Sequence, residues 1–461
     1  MIKVHGTLIS FVGDSLAVHD ILGFLSPSAR KLCRLCLVTR EEIQTNFSDE
    51  DFQLREMEEH DELSQIAADR GRGDSDSGIR GVCPLNVLSS FHCVNNFNFD
   101  VMHDLLEGVC QYEIKLILNQ LLFVDQFMTL SEFNQRISSF HYSFNDKKNK
   151  PTCLSMERIR NIQDHKLGEK ASQMWCLTRM LPLLIGDRIP QDNLHYEILL
   201  LLLQCLDIIY SPVVSIPQTV ILKHMIIDHH SHFKLVFPKS RMINKHHHMV
   251  HYPMCMRMCG PLVLSQCLRF EIKHNFGKRL AAINCNFRNI CKSVAVKHQV
   301  MQCAGWMGKG LREDLECISG SVVTVSSLEG SQSIIESLHL HEDSEIFAAS
   351  KVTVYGIEYI PNMYLVTGID DDDEPQFSRI VVILVPGTTA GEINFVVRRC
   401  YNSGFFRHYH AFCVQEMEMC AYSLVRLDDL IDHVPLTALS SYENNSRVYL
   451  CPRHSLIHHR E

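Results

Sequence analysis

Residues 245–271 (KHHHMVHYPMCMRMCGPLVLSQCLRFE) constrain the fold more than any other stretch of the chain. His247 and His251 are four positions apart, so on a helix both imidazoles face the same side. Such a pair can supply two of the four ligands of a tetrahedral zinc site, and the other two must come from elsewhere. The alternative is a histidine-rich amphipathic helix whose rings cover a core. The stretch therefore predicts either a metal site that joins distant segments or a core-packing helix.

A second pair with ligand spacing lies near the start of the chain. Among the 19 cysteines, only Cys33 and Cys36 form a CxxC motif with the spacing of zinc ligands. Arg30, Lys31 and Arg34 lie beside them and could stabilise thiolates. The motif is half of a zinc site and needs a second pair of ligands.

Several acids stand where a metal ion could bind. Residues 3–12 have strand composition and are followed by Gly13 and Asp14. The position of Asp14 suits a nuclease metal ligand, but it also suits a turn or a helix cap. Asp100 and His103 open a segment of helical spacing, where they could bind metal or simply cap the helix. Glu271 follows Leu268 and Phe270, and an acid among apolar neighbours needs a partner or a metal.

The composition is that of an ordinary globular protein, with 46% hydrophobic and 21% charged residues among 461. A chain of this length folds into roughly two to four domains. The longest apolar run, 196–210, contains Glu197 and Asp207, so a buried helix is expected rather than a membrane span. No secretory signal is evident, which predicts reduced cysteines and a nuclear or cytoplasmic rather than secreted protein.

The net charge of -9 argues against nucleic-acid binding over the whole surface. Between positions 229 and 280, however, Glu271 is the only acid. The basic residues of this segment are Lys234, Lys239, Arg241, Lys245, Arg257, Arg269, Lys273, Lys278 and Arg279. The distribution predicts a local cationic zone.

The spacing of apolar residues divides the chain into stretches of different character. Residues 41–82 are acidic and then rich in Gly, Asp and Ser, which predicts a loop or linker. Residues 83–240 have mostly helical periodicity, and 306–345 are expected to form a linker. Short β-rich runs separated by Gly, Asp, Asn and Pro fill 346–461 and predict a small β-barrel or sandwich.

Five motifs occur in an order that resembles a known family. They are GDSLAVHDILGF, CRLC, FDVMHDLLEGV, KHHHMVHYP and CGPLVLSQCLRFEIKH, spread over about the first 300 residues. Together they resemble the transposases of CACTA (En/Spm) type elements and their domesticated relatives, and more distantly the catalytic core of the V(D)J recombinase.

The resemblance implies an α/β plus α fold. An incomplete ribonuclease-H-like core, formed by 1–40 and 241–305, would be split by the helical insertion 83–240, and a small β-rich domain would follow. In this fold Asp14 is the second catalytic aspartate and Glu271 the third acid. The implied structural zinc site consists of Cys33, Cys36, His247 and His251, with His246 as an alternative to His247. Asp100 and His103 match the family motif DxMH, to which we assign no role from the sequence.

The implied reaction is two-metal phosphoryl transfer on DNA, with Mg²⁺ or Mn²⁺ held by carboxylates. The first aspartate of the family belongs to an earlier strand, and only thirteen residues precede Asp14 here. Impaired catalysis is therefore expected. Lys245, Arg269, Lys273 and Lys278 are expected to contact the DNA backbone, and the family's action on paired ends suggests a homodimer.

Two other interpretations remain open at this stage. One is a zinc-stabilised module that binds DNA or another protein without catalysis, and it draws on the cationic zone and the β-rich domain. The other is a helical scaffold with incidental histidines, which predicts no zinc at all.

Overall fold

The computed structural model describes residues 6–285, 287–307, 315–385, 392–417, 421–443 and 447–456. The chain divides into two units. The first comprises Met1–Phe140, Asn149–Glu271 and Arg453–Glu461, and the second comprises His141–Lys148 and Ile272–Pro452.

Helices dominate the described part of the first unit. They are α1 (Ser15–Leu22), α2 (Met57–Asp69), α3 (Cys110–Asn119), α4 (Leu130–Ser139), α5 (Met156–Arg160), α6 (Ala171–Ile185), α7 (Leu194–Ile209), α8 (Ile216–Val236) and α9 (Asn244–Cys259). The division between the units falls within α10 (Leu268–Asn284).

Local sequence determines where several of these helices begin and end. Asp14, Thr129, Asn193 and Ser215 precede α1, α4, α7 and α8, and each side chain accepts a hydrogen bond from a backbone N–H in the first turn. Gly23 ends α1 in the left-handed conformation with a φ of 82°, which a residue without Cβ adopts at little cost.

The apolar run 196–210 is the buried helix that the sequence predicts. Leu199, Leu202 and Leu206 of α7 are fully buried. Among the described residues, no helix combines the length and the apolarity needed to cross a membrane.

The segment around the DxMH motif is wound more widely than an α-helix. Met102–Val109 has π geometry, continues into α3, and returns to π geometry at Gln120–Val124. Such π segments are rare and often occur at functional sites. This one carries His103 in its first turn.

The prediction of a strand at residues 3–12 was wrong for the described part of that range, where only Phe11 forms a β-bridge. Phe11 forms an isolated parallel bridge with Phe97, and its N–H donates to Asn96 O at 2.7 Å. Residues 6–10 are not in a strand, and 3–5 lie outside the described residues. The β structure in the described residues of the first unit consists of isolated bridges without a sheet, so a ribonuclease-H-like core stays a prediction.

The loop predicted for 41–82 contains an ordered helix. His60, Ser64 and Ala67 of α2 are buried and recur at helical spacing. The acids of the same helix occupy its exposed face, and this is why composition alone suggested a loop.

The described residues of the second unit form one antiparallel sheet, preceded by α11 (Ile290–Trp306). Its strands are β1 (Leu315–Thr324), β2 (Glu345–Val354), β3 (Ile357–Tyr359), β4 (Met363–Ile369), β5 (Pro375–Leu384), β6 (Asn394–Phe406), β7 (Ala411–Glu416), β8 (Tyr422–Arg426), β9 (Asp432–Thr437) and β10 (Val448–Leu450). Helix α12 (Ser331–Leu338) lies between β1 and β2 in the chain. Helices and an antiparallel sheet together confirm that the fold combines α and β structure.

The sheet is open within the described residues. Its main path runs β1-β2-β5-β6-β7-β10, so β1 and β10 are its ends; β3 pairs with β2, β8 with β6, and β4 with β5 and β9. The strands predicted for the C-terminal region are present, and in the part of the chain that the structure describes they form an open sheet rather than a closed barrel.

Part of the predicted linker 306–345 belongs to this sheet. β1 pairs along its length with β2, and Ile334 of α12 packs against Ile346, Leu384 and Val396. Ser319, Gly320 and Ser321 lie in β1 because β2 provides the pairing partner.

Candidate metal centre

Four side chains from distant segments meet in the interior of the first unit. Cys33 and Cys36 come from the CxxC turn, and His247 and His251 come from one face of α9. Their ligand atoms all lie within 4.8 Å of one another, and all four residues are buried. The structure thus joins the two half-sites that the sequence predicts.

The contacts in this cluster converge on one point. Cys36 Sγ lies 3.2 Å from His247 Nε2 and 3.4 Å from His251 Nε2. The two Nε2 atoms are 3.1 Å apart. The Nδ1 atoms of both rings are buried and, within the described part of the chain, lack a hydrogen-bond partner. The rings therefore direct their polar contacts at the cluster alone.

The surroundings of Cys33 and His247 favour the protonation states that a metal requires, whereas those of Cys36 favour its thiol. Burial raises the pKa of the Cys33 thiol, but its hydrogen bond with Cys36 and the proximity of His251 and His247 outweigh burial and hold that pKa well below its usual range. Burial and the hydrogen bond with Cys33 raise the pKa of Cys36. Burial lowers the pKa of His247 to about 4. A thiolate and a neutral imidazole are the ligand forms of these residues.

Neighbouring groups hold the ligands in place. Arg55 Nε donates to the carbonyl of Cys33 at 3.2 Å, and the N–H of Leu35 donates to Cys33 Sγ at 3.3 Å. Phe52 and His247 pack in a T-shaped arrangement with ring centroids 4.8 Å apart. Two sulfurs and two imidazole nitrogens in a dry, positioned set can hold a metal ion such as zinc.

The structure distinguishes between His246 and His247. His246 points away from the cluster, because its Nε2 donates to Glu113 Oε1 at 2.8 Å and its Nδ1 accepts the N–H of Ile243 at 3.2 Å. His247 is thus the member of the cluster, and the alternative ligand His246 belongs to a different contact.

His246 belongs to a second buried group, in which the Glu113 carboxylate lies between His229 and His246. Glu113 Oε2 lies 2.9 Å from His229 Nε2, and all three residues are inaccessible to solvent. Burial raises the pKa of Glu113, but His229 and His246 outweigh it and lower that pKa to about 2. This group was not predicted from the sequence. The available signal was an acid on the apolar face of a helix in the segment 101–122.

A second cluster surrounds the DxMH motif. Asp100, His103 and Cys267 have ligand atoms within 4.8 Å of one another. Asp100 Oδ2 accepts a hydrogen bond from His103 Nδ1, and Asp100 Oδ1 accepts one from the N–H of Cys267 at 2.8 Å. His103 Nε2 lies 3.2 Å from Glu271 Oε1. Cys267 was not predicted, since only the fold brings it to the motif.

Asp14 and Glu271 belong to the same electrostatic environment. Burial raises the pKa of the Cys267 thiol, and the charges of Asp100, Asp14 and Glu271 raise it further. Asp14 is half-buried and caps α1, with Oδ1 accepting the N–H of Ala17 at 2.9 Å. Both interpretations of Asp14 from the sequence, helix cap and member of an acidic centre, are compatible with this position.

The basic residues predicted to contact DNA differ in their surroundings. Lys245 is partly buried, and its ammonium donates to the carbonyls of His103 at 2.6 Å and Glu107 at 3.2 Å. Arg269, Lys273 and Lys278 are exposed on α10. Contact of any of them with DNA stays a prediction.

The fold and the site define an α plus β protein with a buried Cys₂His₂ cluster that can hold a metal ion such as zinc. A scan against known protein families and a search of the curated proteins both found no match to the chain.

Proposed function

We propose that this protein derives from a transposase of the CACTA type, whose ancestral chemistry is metal-dependent cleavage and strand transfer of DNA. The observation that carries the proposal is the meeting of Cys33 and Cys36 with His247 and His251. These are the four zinc ligands that the family resemblance implies. A nuclear location and action as a homodimer on paired DNA ends are part of the proposal.

The proposed zinc has a structural role. It bonds the segment that follows Asp14 to the segment that precedes Glu271, and Cys36 and His247 are 211 positions apart. Closing so long a loop has an entropic cost that metal–ligand bonds offset, because only the folded chain presents all four ligands together. The clamp thereby limits how far the two acids can separate.

The proposed catalytic centre, arranged as in a ribonuclease-H-like core, uses Asp14 and Glu271 as carboxylate ligands of Mg²⁺ or Mn²⁺. When bound, such an ion would polarise a phosphate oxygen and lower the pKa of the attacking hydroxyl or water. Two observations support the assignment. The charges of both acids raise the pKa of the Cys267 thiol, and the side chain of Glu271 is 46% exposed and so open to substrate. Asp14 uses one oxygen for its helix cap and keeps the other for an ion.

The support for a DNA substrate comes from α10 and α11. Residues 272–307 contain no acid and carry the basic residues Lys273, Lys278, Arg279, Arg288, Lys292 and Lys297. Among the described residues of the two helices none is buried, and Lys297 Nζ donates to Asn284 Oδ1 at 2.6 Å, which places α11 alongside α10. An exposed basic hairpin in a chain of net charge -9 suits the phosphate backbone.

Cleavage of an end-labelled DNA duplex by the zinc-loaded full chain tests the proposal. Because impaired catalysis is expected, Mn²⁺ or Mg²⁺ should support at most weak nicking that leaves 3′-hydroxyl ends, and Glu271→Gln should abolish it. The matched control is Glu58→Gln, which removes an exposed acid from α2. Nicking that persists unchanged in Glu271→Gln would assign the activity to a contaminant or to another site.

The second candidate is a zinc-stabilised module that binds DNA or another protein without cutting. It is favoured by the large exposed apolar side chains of the same hairpin, such as Trp306 at 79% exposure and Ile283 at 77%. Under this reading the chain binds duplex DNA in a salt-dependent manner and shows no nicking. Lys273→Glu combined with Lys278→Glu should then lower the salt slope of binding by about 2, whereas Lys148→Glu should not.

A further inference from the structure

His103 stands between two carboxylates with its two ring nitrogens in different roles. Asp100 also accepts the N–H groups of Met102 at 3.2 Å and of Cys267 at 2.8 Å, so it is an ionised acceptor with no proton to give. The proton of the contact must therefore lie on His103 Nδ1, which donates to Asp100 Oδ2. With Nδ1 engaged in this way, Nε2 is the nitrogen left to face Glu271.

The residue is fixed from its backbone side as well. Lys245 donates to the carbonyl of His103 at 2.6 Å. The π-helical winding of Met102–Val109 begins at this point. A ring held by a carboxylate, on a backbone held by an ammonium, loses little further entropy when it binds a ligand.

The distance from His103 Nε2 to Glu271 Oε1 is 3.2 Å. Two lone-pair atoms this close need a proton or a cation between them. With metal–nitrogen and metal–oxygen bonds of about 2.0–2.2 Å, this separation corresponds to an angle of about 100° at the metal, between the octahedral and tetrahedral values. An imidazole oriented by a carboxylate through its other nitrogen is also the common arrangement of metal-binding histidines.

We propose that His103 Nε2 and Glu271 Oε1 together bind one divalent transition-metal ion. This inference deepens the proposed function, since it makes His103 a ligand of the ion at Glu271. An imidazole suits Mn²⁺, Co²⁺ and Zn²⁺ better than Mg²⁺, and the sulfur of Cys267 in the same cluster biases the site in the same direction. The site prefers Mn²⁺ to Mg²⁺.

Binding of Mn²⁺ to the full chain, with the Cys₂His₂ cluster already filled by zinc, tests the proposal. Electron paramagnetic resonance of free Mn²⁺ gives the stoichiometry and affinity. We expect one Mn²⁺ per chain, and a loss of affinity of about 10- to 100-fold in both His103→Ala and Glu271→Gln. The control is His92→Ala. His92 Nε2 lies 3.1 Å from Asp61 Oδ1, but its Nδ1 accepts the N–H of Val94 at 3.2 Å, so His92 does not stand between two carboxylates as His103 does.

A second measurement needs no variant to fold. The spin-echo modulation of bound Mn²⁺ should show an imidazole nitrogen in the natural protein. Absence of that nitrogen signal, wild-type affinity in His103→Ala, or no Mn²⁺ binding beyond the zinc would each overturn the proposal and reduce His103 to an ion-pair partner of Glu271.

The outcome is separable from that of the proposed function. Mn²⁺ bound through the imidazole without DNA nicking sinks the cleavage activity and leaves the metal site standing. Nicking that survives in His103→Ala with unchanged Mn²⁺ affinity would rule out His103 as a metal ligand and leave the proposed cleavage activity standing.

Discussion

Cys36 Sγ lies 3.2 Å from His247 Nε2, although 211 positions separate the two residues in the chain. Both are buried in the first unit, together with Cys33 and His251. The two local motifs thus act as one ligand set, and the stability of the first unit should depend on whether a metal ion occupies it.

Substitution of Cys36 is expected to remove zinc. In Cys36→Ser the hard hydroxyl replaces a sulfur ligand, so the zinc content should fall from one per chain towards zero. The free energy of unfolding of the first unit should fall by about 3 kcal/mol or more, because zinc binds only the folded chain and so stabilises it against unfolding. Elemental analysis and urea denaturation measure the two effects. Cys153→Ser, at an exposed cysteine, should change neither, and equal zinc loss in both variants would contradict the assignment.

His246 and His247 should differ in kind. His247→Ala is expected to lose zinc, whereas His246→Ala should keep it. The second variant should still unfold about 3 kcal/mol more easily, because it leaves the buried Glu113 carboxylate with one partner fewer. Zinc content and denaturation on the same samples separate the two. Zinc loss from His246→Ala with full retention in His247→Ala would reverse the ligand assignment.

The buried Glu113 should make stability depend on acid pH. Its pKa in the folded chain is about 2, lowered by His229 and His246, against an ordinary value of about 4.5 in the unfolded chain. The unfolded chain therefore takes up a proton first, and the stabilisation from Glu113 is complete above about pH 4.5 and is lost as the pH falls towards 2.

The difference in unfolding free energy between the natural protein and Glu113→Gln should accordingly shrink by roughly 3 kcal/mol between pH 5 and pH 2. Measuring it as a difference cancels the release of zinc by acid, which both proteins share. Glu58→Gln, an exposed substitution in α2, serves as the reference. A difference that is constant over this range would show that the ionised carboxylate is not what the two histidines stabilise.

Asp14 can be tested as a cap and as an acid separately. Asp14→Ala removes the acceptor of the Ala17 N–H and should cost about 1 kcal/mol of stability. Asp14→Asn keeps an oxygen for the cap, so its cost should be a few tenths of a kcal/mol. Both variants remove the negative charge near Cys267, and urea denaturation followed by Mn²⁺ titration reads out each role. Equal destabilisation by Asn and Ala would mean that the charge, rather than the cap, matters for folding.

Much of the secondary structure could be predicted from local pattern. The strands Met363–Ile369 and Tyr422–Arg426 follow from β-rich composition between turn residues, and the start of α1 follows from its capping residue Asp14. α2 was not predicted because the acids on its exposed face give the segment the composition of a loop. β1 was not predicted because its small residues indicate a strand only when the pairing partner β2 is known.

The sequence by itself determined the two ligand pairs, because CxxC and a four-residue histidine spacing are set by the geometry of a turn and of one helix. Only the tertiary structure decided that the pairs meet and that His247 rather than His246 belongs to the cluster. It also brought His103 against Glu271. Spacing along a helix specifies which side chains share a face, but not which distant segment that face will meet, because this depends on how every intervening helix packs.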